Sequence, residues 1–370
     1  MAVPLLDLKA QHATIRDDVV KAMMAVVDDQ AFILGDPVSD LEREVATLTQ
    51  VPYAVGCANG TDALLLALRA LDVGAGDEVV TTPFTFFATA GAVHNVGART
   101  VFADIEPHTF SIAPDAIAAA VTSKAKAVIA VDLFGQMTPI EQVVEAAHGV
   151  PVIEDAAQSI GASRYVDGEK VMAGQAAAIG TFSFFPSKNL GGYGDGGMMV
   201  TRDARLFETL MKLRTHGSRR TYYHDIVGYN SRLDALQAAV LLAKLPHLEG
   251  WSARRRANAA YYDAAFADVP EVTRPFVDAP NTSIYNQYTI RVIKRDALQA
   301  HLKAVGVGNN VYYPLPLHLQ ACFAYLGFKA GQFPESERAA QEVLSLPIYP
   351  ELTHAQLDEV IAAVRAFFGR

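Results

Sequence analysis

Lys188 stands in Ser183-Phe-Phe-Pro-Ser-Lys188, just past an apolar run and ahead of the glycine-dense stretch Gly191-Gly-Tyr-Gly-Asp-Gly-Gly197. An amine near the end of a buried strand loses hydration, which lowers its pKa and frees its lone pair to add to a carbonyl and form a Schiff base. The competing reading is a surface lysine whose stem covers apolar neighbours while its charge reaches water. Other segments must therefore carry the case.

Cys57-Ala-Asn-Gly-Thr-Asp62 joins a predicted strand to a predicted helix, so the Gly60 and Thr61 amides and the Thr61 hydroxyl point beyond the helix N-terminus. Free N–H groups and the helix dipole make an anion cradle there, with phosphate the usual guest, although an ordinary Asn or Thr cap fits the same residues. Pro151-Val-Ile-Glu-Asp-Ala-Ala-Gln158 puts Asp155 at the C-terminal end of a buried strand, the edge where open α/β sheets place ligands. A cofactor with a pyridinium nitrogen needs an ionised carboxylate in that position, and Gln158 is placed to donate to a ring hydroxyl. A helix cap or a salt bridge would account for Asp155 equally well. Pro83-Phe-Thr-Phe-Phe-Ala-Thr89 follows another strand at the same edge, where an aromatic side chain either stacks on a flat ring or packs into the core. A lysine, a carboxylate, a phosphate cradle and an aromatic at the strand ends of one sheet match pyridoxal 5'-phosphate.

The elements that must position these groups alternate between strand and helix up to about residue 210. Strands are predicted at 53–57, 78–82, 99–104, 127–132, 151–154, 179–184 and 197–201. Several are nearly continuous apolar runs, the mark of strands covered on both faces. Residues 62–72 read as a helix, with Leu64, Leu65, Leu68 and Leu71 on one face and Gly74 and Gly76 marking its end. The fold class is α/β with a mostly parallel seven-stranded sheet between helices. A helical stretch over 232–264 leads out of it, its Arg254-Arg-Arg256 run reading as a solvated face. Beyond about 270 the expected elements are a strand at 288–293, a helix from Asp296, a short strand near 310–313, and helices at 335–344 and 353–368. Two domains follow: a large cofactor-binding domain over 1–250 and a small α+β domain over 251–370.

Composition sets outer bounds. With 370 residues and 51% apolar content the chain can bury a large core. Its charge, 31 basic against 40 acidic residues for a net −9, forms no basic run suited to nucleic acid or an anionic membrane. Cys57 and Cys322 are too few for a disulfide framework and lack the paired spacing of a structural zinc site, so reduced cytoplasm is expected and no metal. The start lacks a signal-peptide core, and no apolar run approaches the ~20 residues of a membrane span. A dinucleotide-binding Gly-x-Gly-x-x-Gly turn after the first strand is absent, which argues against a nicotinamide oxidoreductase.

The segments Leu6-Asp-Leu-Lys, Phe32-Ile-Leu-Gly35, Ala58-Asn-Gly-Thr-Asp-Ala63, Glu154-Asp-Ala-Ala-Gln-Ser159, Ser183-Phe-Phe-Pro-Ser-Lys188, Gly228-Tyr-Asn-Ser-Arg-Leu-Asp234, Tyr313-Pro-Leu-Pro-Leu-His318 and Ser345-Leu-Pro347 occur in this order. Together they closely resemble the DegT/DnrJ/EryC1/StrS family of sugar aminotransferases, pyridoxal-phosphate enzymes of the fold-type I (aspartate aminotransferase) class. The resemblance spans nearly the whole chain. It implies that Lys188 bonds covalently to the cofactor and moves a proton between cofactor and substrate carbons. It also implies that Asp155 pairs with the pyridinium, Gln158 with the ring hydroxyl, and Phe86 with the ring face, while Gly60, Thr61 and Ser183 bind the phosphate. In the family an asparagine matching Asn230 reaches the phosphate of the neighbouring subunit, which implies a homodimer with shared active sites.

One branch of the family carries histidine in place of the lysine and acts as a dehydratase, so Lys188 implies transamination. The implied donor is L-glutamate and the implied acceptor a keto group, at C3, of a nucleotide-linked hexose. A UDP-3-keto hexuronate, whose carboxylate would meet Arg232, and a dTDP-3-keto-6-deoxyhexose both stay open. So do a 4-keto sugar and a cofactor-binding regulator without turnover. Tyr312, Tyr313 and His318 are the further substrate-contact candidates. Tyr312 replaces a histidine found in many relatives, and its hydroxyl keeps a hydrogen-bonding tip that does not titrate near neutral pH.

Overall fold

The computed structural model describes residues 2–370. Two helices open the chain, α1 (Leu8–Asp29) and α2 (Asp36–Leu48), neither assigned from the sequence. α1 starts where the Asp7 carboxylate accepts from the amides of Lys9 and Ala10. Strand β1 (Tyr53–Cys57) and helix α3 (Gly60–Ala70) follow, then β2 (Glu78–Thr81), α4 (Phe87–Asn95) and β3 (Arg99–Phe102). The alternation continues through α5 (Pro114–Ala120), β4 (Ala125–Val131), α6 (Ile140–Ala146) and β5 (Val152–Asp155). A hairpin of β6 (Ser163–Val166) and β7 (Glu169–Met172) interrupts it before β8 (Ile179–Ser183), β9 (Gly197–Thr201) and α7 (Ala204–Leu213).

The seven-stranded sheet has the order β1-β9-β8-β5-β4-β2-β3. β8, β5, β4, β2 and β3 pair in parallel, and β9 runs antiparallel to both its neighbours. The apolar runs that predicted these strands exist because helices cover both faces. On one face Val128, Val152, Phe182 and Val200 pack with Leu41 and Val45 of α2, Ile117 of α5 and Val143 of α6. On the other, Ile129, Ile153, Ile179 and Met199 meet Leu64, Leu66 and Leu68 of α3 and Leu210 of α7.

The expected helix over 232–264 is in fact two, α8 (Ala235–Lys244) and α9 (Leu248–Ala265), joined by a tight 3-10 turn at Leu245–His247. Pro246 occupies that turn and cannot donate a helical hydrogen bond. The Arg254-Arg-Arg256 run is only partly a solvated face. Arg255 is 3% exposed and donates to the backbone carbonyls of Tyr285, Asn286 and Ile348, since carbonyls leaving adjacent loops converge on it.

The short strand β10 (Asn281–Thr282) adds to β6, and β11 (Tyr288–Arg291) precedes α10 (Arg295–Ala304). α11 (Pro334–Glu342) ends early because Val343–Leu346 forms β12 against β11. Residues 310–313 make only one bridge, Asn310 to Ser345, rather than a strand. The chain closes on α12 (His354–Phe367), whose Thr353 and Gln356 form a reciprocal capping box. Tyr262, Tyr288, Ile290, Leu298, Leu344, Leu357 and Val360 make a separate apolar cluster for this part. Among the described residues no helix is long and apolar enough to cross a membrane.

Candidate active site

The C-terminal ends of the sheet strands border a cavity of about 370 Å³. Asp155 is the last residue of β5 and Ser183 the last of β8, while α3 begins shortly after β1 ends. Sequence alternation therefore delivers a carboxyl, a hydroxyl and a helix N-terminus to one edge. The Asn59 side chain accepts from the Asp62 amide at 2.8 Å, and the Gly60 and Thr61 amides stay free of backbone partners and border the cavity. Gly60 is required by packing, because a Cβ there would lie 2.6 Å from the Ser183 Cβ.

Lys188 is placed by the loop after β8. Its amide donates to Phe185 O at 2.8 Å, and Gly192 N donates to Phe184 O at 2.8 Å, folding the glycine-rich stretch back on itself. A Cβ at Gly191 would stand 2.4 Å from the Pro186 carbonyl oxygen, so a side chain would open this turn. Burial pulls the Lys188 amine down from its ordinary 10.5 to about 8, with the charge of Asp155 opposing that fall.

Across the cavity the Asp155 carboxylate accepts from the Thr89 hydroxyl at 2.9 Å and the Ala157 amide at 3.3 Å. Burial nevertheless raises its pKa above the ordinary carboxylate value, against these two hydrogen bonds and the charge of Lys188. A cation bound against Asp155 would reverse that direction. The Gln158 side-chain oxygen accepts from the Phe134 amide at 2.8 Å, and its nitrogen donates to the Tyr313 hydroxyl at 3.2 Å. Phe86, 56% exposed, stands just before α4 at the cavity wall, its ring 6.1 Å from that of Tyr313. Tyr312 lines the same wall.

Asn230 and Arg232 border a neighbouring cavity of about 420 Å³, and Asp195 of the glycine-rich loop borders both. Ser231, lying between them, ties this segment to the phosphate-type loop: its hydroxyl donates to Asp62 at 2.6 Å and accepts from the Ala58 amide at 3.3 Å. His318 is placed elsewhere. Its ring is 2% exposed, sits 4.8 Å from the Phe333 ring and bonds to Glu337 at 3.1 Å, so it does not reach the cavity. The turn at Leu317–Leu319, anchored by Leu317 N to Pro83 O, directs it into the aromatic cluster of Phe102 and Phe333.

Sequence reasoning misses Thr89, Asp195 and Gln287 at this site. Thr89, in the first turn of α4, reaches the site only through its hydroxyl bond to Asp155, which no local pattern marks. Asp195 is the one charged residue in the glycine-rich loop. Gln287, arriving from the distant 284–287 segment, has no local signal.

These residues fit pyridoxal phosphate. A buried carboxyl in want of a cation shares the cavity with a weakly basic amine and the exposed Phe86 ring, and unpartnered amides at a helix N-terminus suit a phosphate.

Comparison with known proteins agrees. Residues 13–365 match the DegT/DnrJ/EryC1/StrS aminotransferase family. The chain is 49% identical to a Geobacillus stearothermophilus protein named a pleiotropic regulatory protein, over 100% of this chain and 99% of that one. It is 44% identical to the UDP-N-acetyl-3-dehydro-alpha-D-glucosamine 3-aminotransferase of Acidithiobacillus ferrooxidans, covering 98% and 97%. It is 42% identical to the UDP-2-acetamido-2-deoxy-3-oxo-D-glucuronate aminotransferase of Pseudomonas aeruginosa, covering 98% and 99%. Among solved structures, S. venezuelae DesV in complex with a ketimine intermediate superposes with a TM-score of 0.96 at 38% identity, covering 100% and 99%. A Bacillus subtilis protein solved with bound cofactor PMP gives 0.92 at 28% identity, covering 100% and 86%. The chain is a sugar aminotransferase dependent on pyridoxal phosphate, and it belongs to the DegT/DnrJ/EryC1/StrS aminotransferase family.

Proposed function

We propose that the enzyme moves the amino group of L-glutamate to the C3 keto group of a nucleotide-linked hexose, either a UDP-3-keto hexuronate or a dTDP-3-keto-6-deoxyhexose. The observation that carries this reading is the meeting of two cavities at Asp195, one holding Lys188 and Asp155 and the other Arg232 and Asn230. An extended acceptor can then place its keto carbon near Lys188 while an anionic group lies toward Arg232. The names of two relatives, both amino-transferring enzymes for 3-oxo UDP sugars, favour C3.

Pyridoxal phosphate, when bound, supplies an electron-accepting ring that acidifies the C–H bond next to an attached amine and carries the amino group from donor to acceptor. In this reading the chain's own groups do the rest. The Lys188 Nζ, its basicity lowered by burial, accepts and returns the proton at the substrate carbon. Asp155 holds the ring nitrogen charged, Gln158 orients the ring hydroxyl, and Phe86 covers one ring face. Gly60, Thr61 and Ser183 donate to the phosphate. Tyr312 and Tyr313 narrow the cavity and exclude water near the reacting atoms. Asn230, which borders the second cavity, reaches the phosphate of a partner subunit, which makes the active unit a homodimer.

The relative named as a regulatory protein raises the reading of a cofactor-binding regulator. Such a protein has no need of Lys188 opposite Asp155, so transamination is the reading taken. The test is a panel of UDP- and dTDP-linked 3-keto and 4-keto sugars with L-glutamate, with mass spectrometry for the amino product. Amination of a 3-keto sugar is expected, and in the Arg232→Ala variant a hexuronate should lose more activity than a deoxyhexose. Amination of 4-keto sugars alone, or of none, would overturn the assignment.

A further inference from the structure

Strand β5 ends in two consecutive carboxyls that face opposite sides of the sheet. Asp155 faces the cavity. Glu154 lies on the other face, with Ala130 of β4 and Gly180 of β8 as its register neighbours. It is 0% exposed, and neither of its oxygens receives a conventional donor. The charged group beside it is Asp132, just beyond β4, which is also 0% exposed. The Gly174 amide, from the turn before β8, is the other group acting on Glu154, and among the described residues neither carboxyl forms an ion pair.

Each Asp132 oxygen already accepts one hydrogen bond and keeps a lone pair free for another. One oxygen accepts from Thr138 N at 2.7 Å and the other from the Ser159 hydroxyl at 2.7 Å. These bonds tie the turn after β4 to the turn after β5. The Asp132 amide donates to Asp155 O at 3.1 Å, Phe134 N holds the Gln158 side chain, and Ser159 directly follows Gln158. Asp132 is thus the junction of the two turns that carry Asp155 and Gln158.

Two adjacent carboxylates in a dry interior with no cation cannot both stay ionised. Protonation of one supplies the donor that the geometry lacks. We propose that Glu154 is protonated in the folded protein and donates to Asp132, so that the pair holds one proton and one charge, and that this bond positions the turns bearing Asp155 and Gln158. Glu154 and Asp132 touch neither cofactor nor substrate and are positioning residues. Burial and the neighbouring Asp132 charge push Glu154 well above its ordinary value, while burial raises Asp132 to about 6, in keeping with Glu154 as the protonated partner. The inference is independent of the sugar acted on.

The test uses the holoenzyme. Infrared spectra in heavy water at about pH 8 should contain the carbonyl band of a protonated carboxyl, and Glu154→Gln should remove it. That variant keeps a side-chain donor to Asp132, so kcat and the cofactor absorbance should stay within about twofold of the parent. Glu154→Ala, without the donor, should lose kcat by roughly 10 to 100-fold and shift the cofactor band, the scale of a misplaced supporting group.

Stability offers a second reading. A carboxyl whose folded pKa is raised stabilises fully below its unfolded value near 4.5 and loses that stability as pH rises toward the folded value. The Glu154→Gln melting point should therefore gain on the parent as pH rises above about 4.5. A parent enzyme without the protonated-carboxyl band at about pH 8, or one whose band survives in Glu154→Gln, overturns the shared proton. A Gln variant as impaired as the Ala variant overturns the positioning role. If Glu154→Gln does not fold, the pH titration of the parent band decides alone.

Discussion

Lys188 and Lys244 have amines that burial lowers alike, from 10.5 to about 8, yet their surroundings differ. Lys188 opens on the cavity opposite Asp155, and its Nζ has no hydrogen-bond acceptor among the described residues. Lys244, on α8, is 2% exposed, donates to Gly191 O at 2.5 Å, and lies 5.3 Å from the Tyr193 ring and 6.0 Å from the Trp251 ring. A weakened base is therefore not by itself a nucleophile: the lone pair also needs access and freedom from a competing role. Lys244 serves the other lysine indirectly. Together with Gln237, whose side chain accepts from Tyr193 N at 2.8 Å, it holds the glycine-rich loop that follows Lys188.

The contrast can be broken most severely at Lys188. Lys188→Ala should reduce transamination to background in a steady-state assay with any accepted sugar, whereas an active variant would remove the basis of the site. Asp155→Asn keeps the shape but not the charge that a bound pyridinium needs. Its turnover should fall by about 100 to 1000-fold, the scale of deleting a preorganised electrostatic partner, with a changed cofactor absorbance spectrum as the check.

Lys244→Met tests the supporting lysine. Leaving the buried Gly191 carbonyl without its donor should cost about 1–3 kcal/mol in urea unfolding, with a smaller effect on kcat than either change at the cavity. Equal loss of turnover in the Lys244 and Lys188 variants would erase the distinction.

The smallest effect sharpens the comparison without a mutation. In protein freed of cofactor, an amine-directed reagent should label Lys188 with a midpoint near its value of about 8, and peptide mapping should find Lys244 unlabelled. At pH 7 roughly a tenth of Lys188 would be uncharged, far more than for an ordinary lysine. The sign for stability is the reverse of that for Glu154. A lysine lowered in the folded state is costly below about 8, and that cost is relieved as pH rises toward 10.5.

Much of the site is readable in the one-dimensional chain because its parts are local. Asp155 and Ser183 end a buried strand, Lys188, Gly60 and Thr61 follow one within a few residues, and the strand runs are continuous because both sheet faces are covered. Where long-range contacts decide, the reading fails. His318 looks available among prolines, but packing turns it toward Phe333 and Glu337. Arg255 looks like part of a charged surface until three distant carbonyls converge on it. The addition of β10 to the β6–β7 hairpin and the pairing that ends the expected 335–344 helix in a strand depend on partners far along the chain.

The order of residues alone was enough to determine the α/β sheet, the lysine and carboxylate at its edge, and the family, since periodicity and short motifs are properties of neighbouring residues. Tertiary structure decided which of two equally weakened lysines faces the cavity, that Gln287 lines it and Thr89 supports Asp155, and that Glu154 meets Asp132 rather than water. The physical reason is that desolvation and hydrogen-bond partnership depend on what surrounds a group in space, and for these residues the surroundings come from segments tens of residues away.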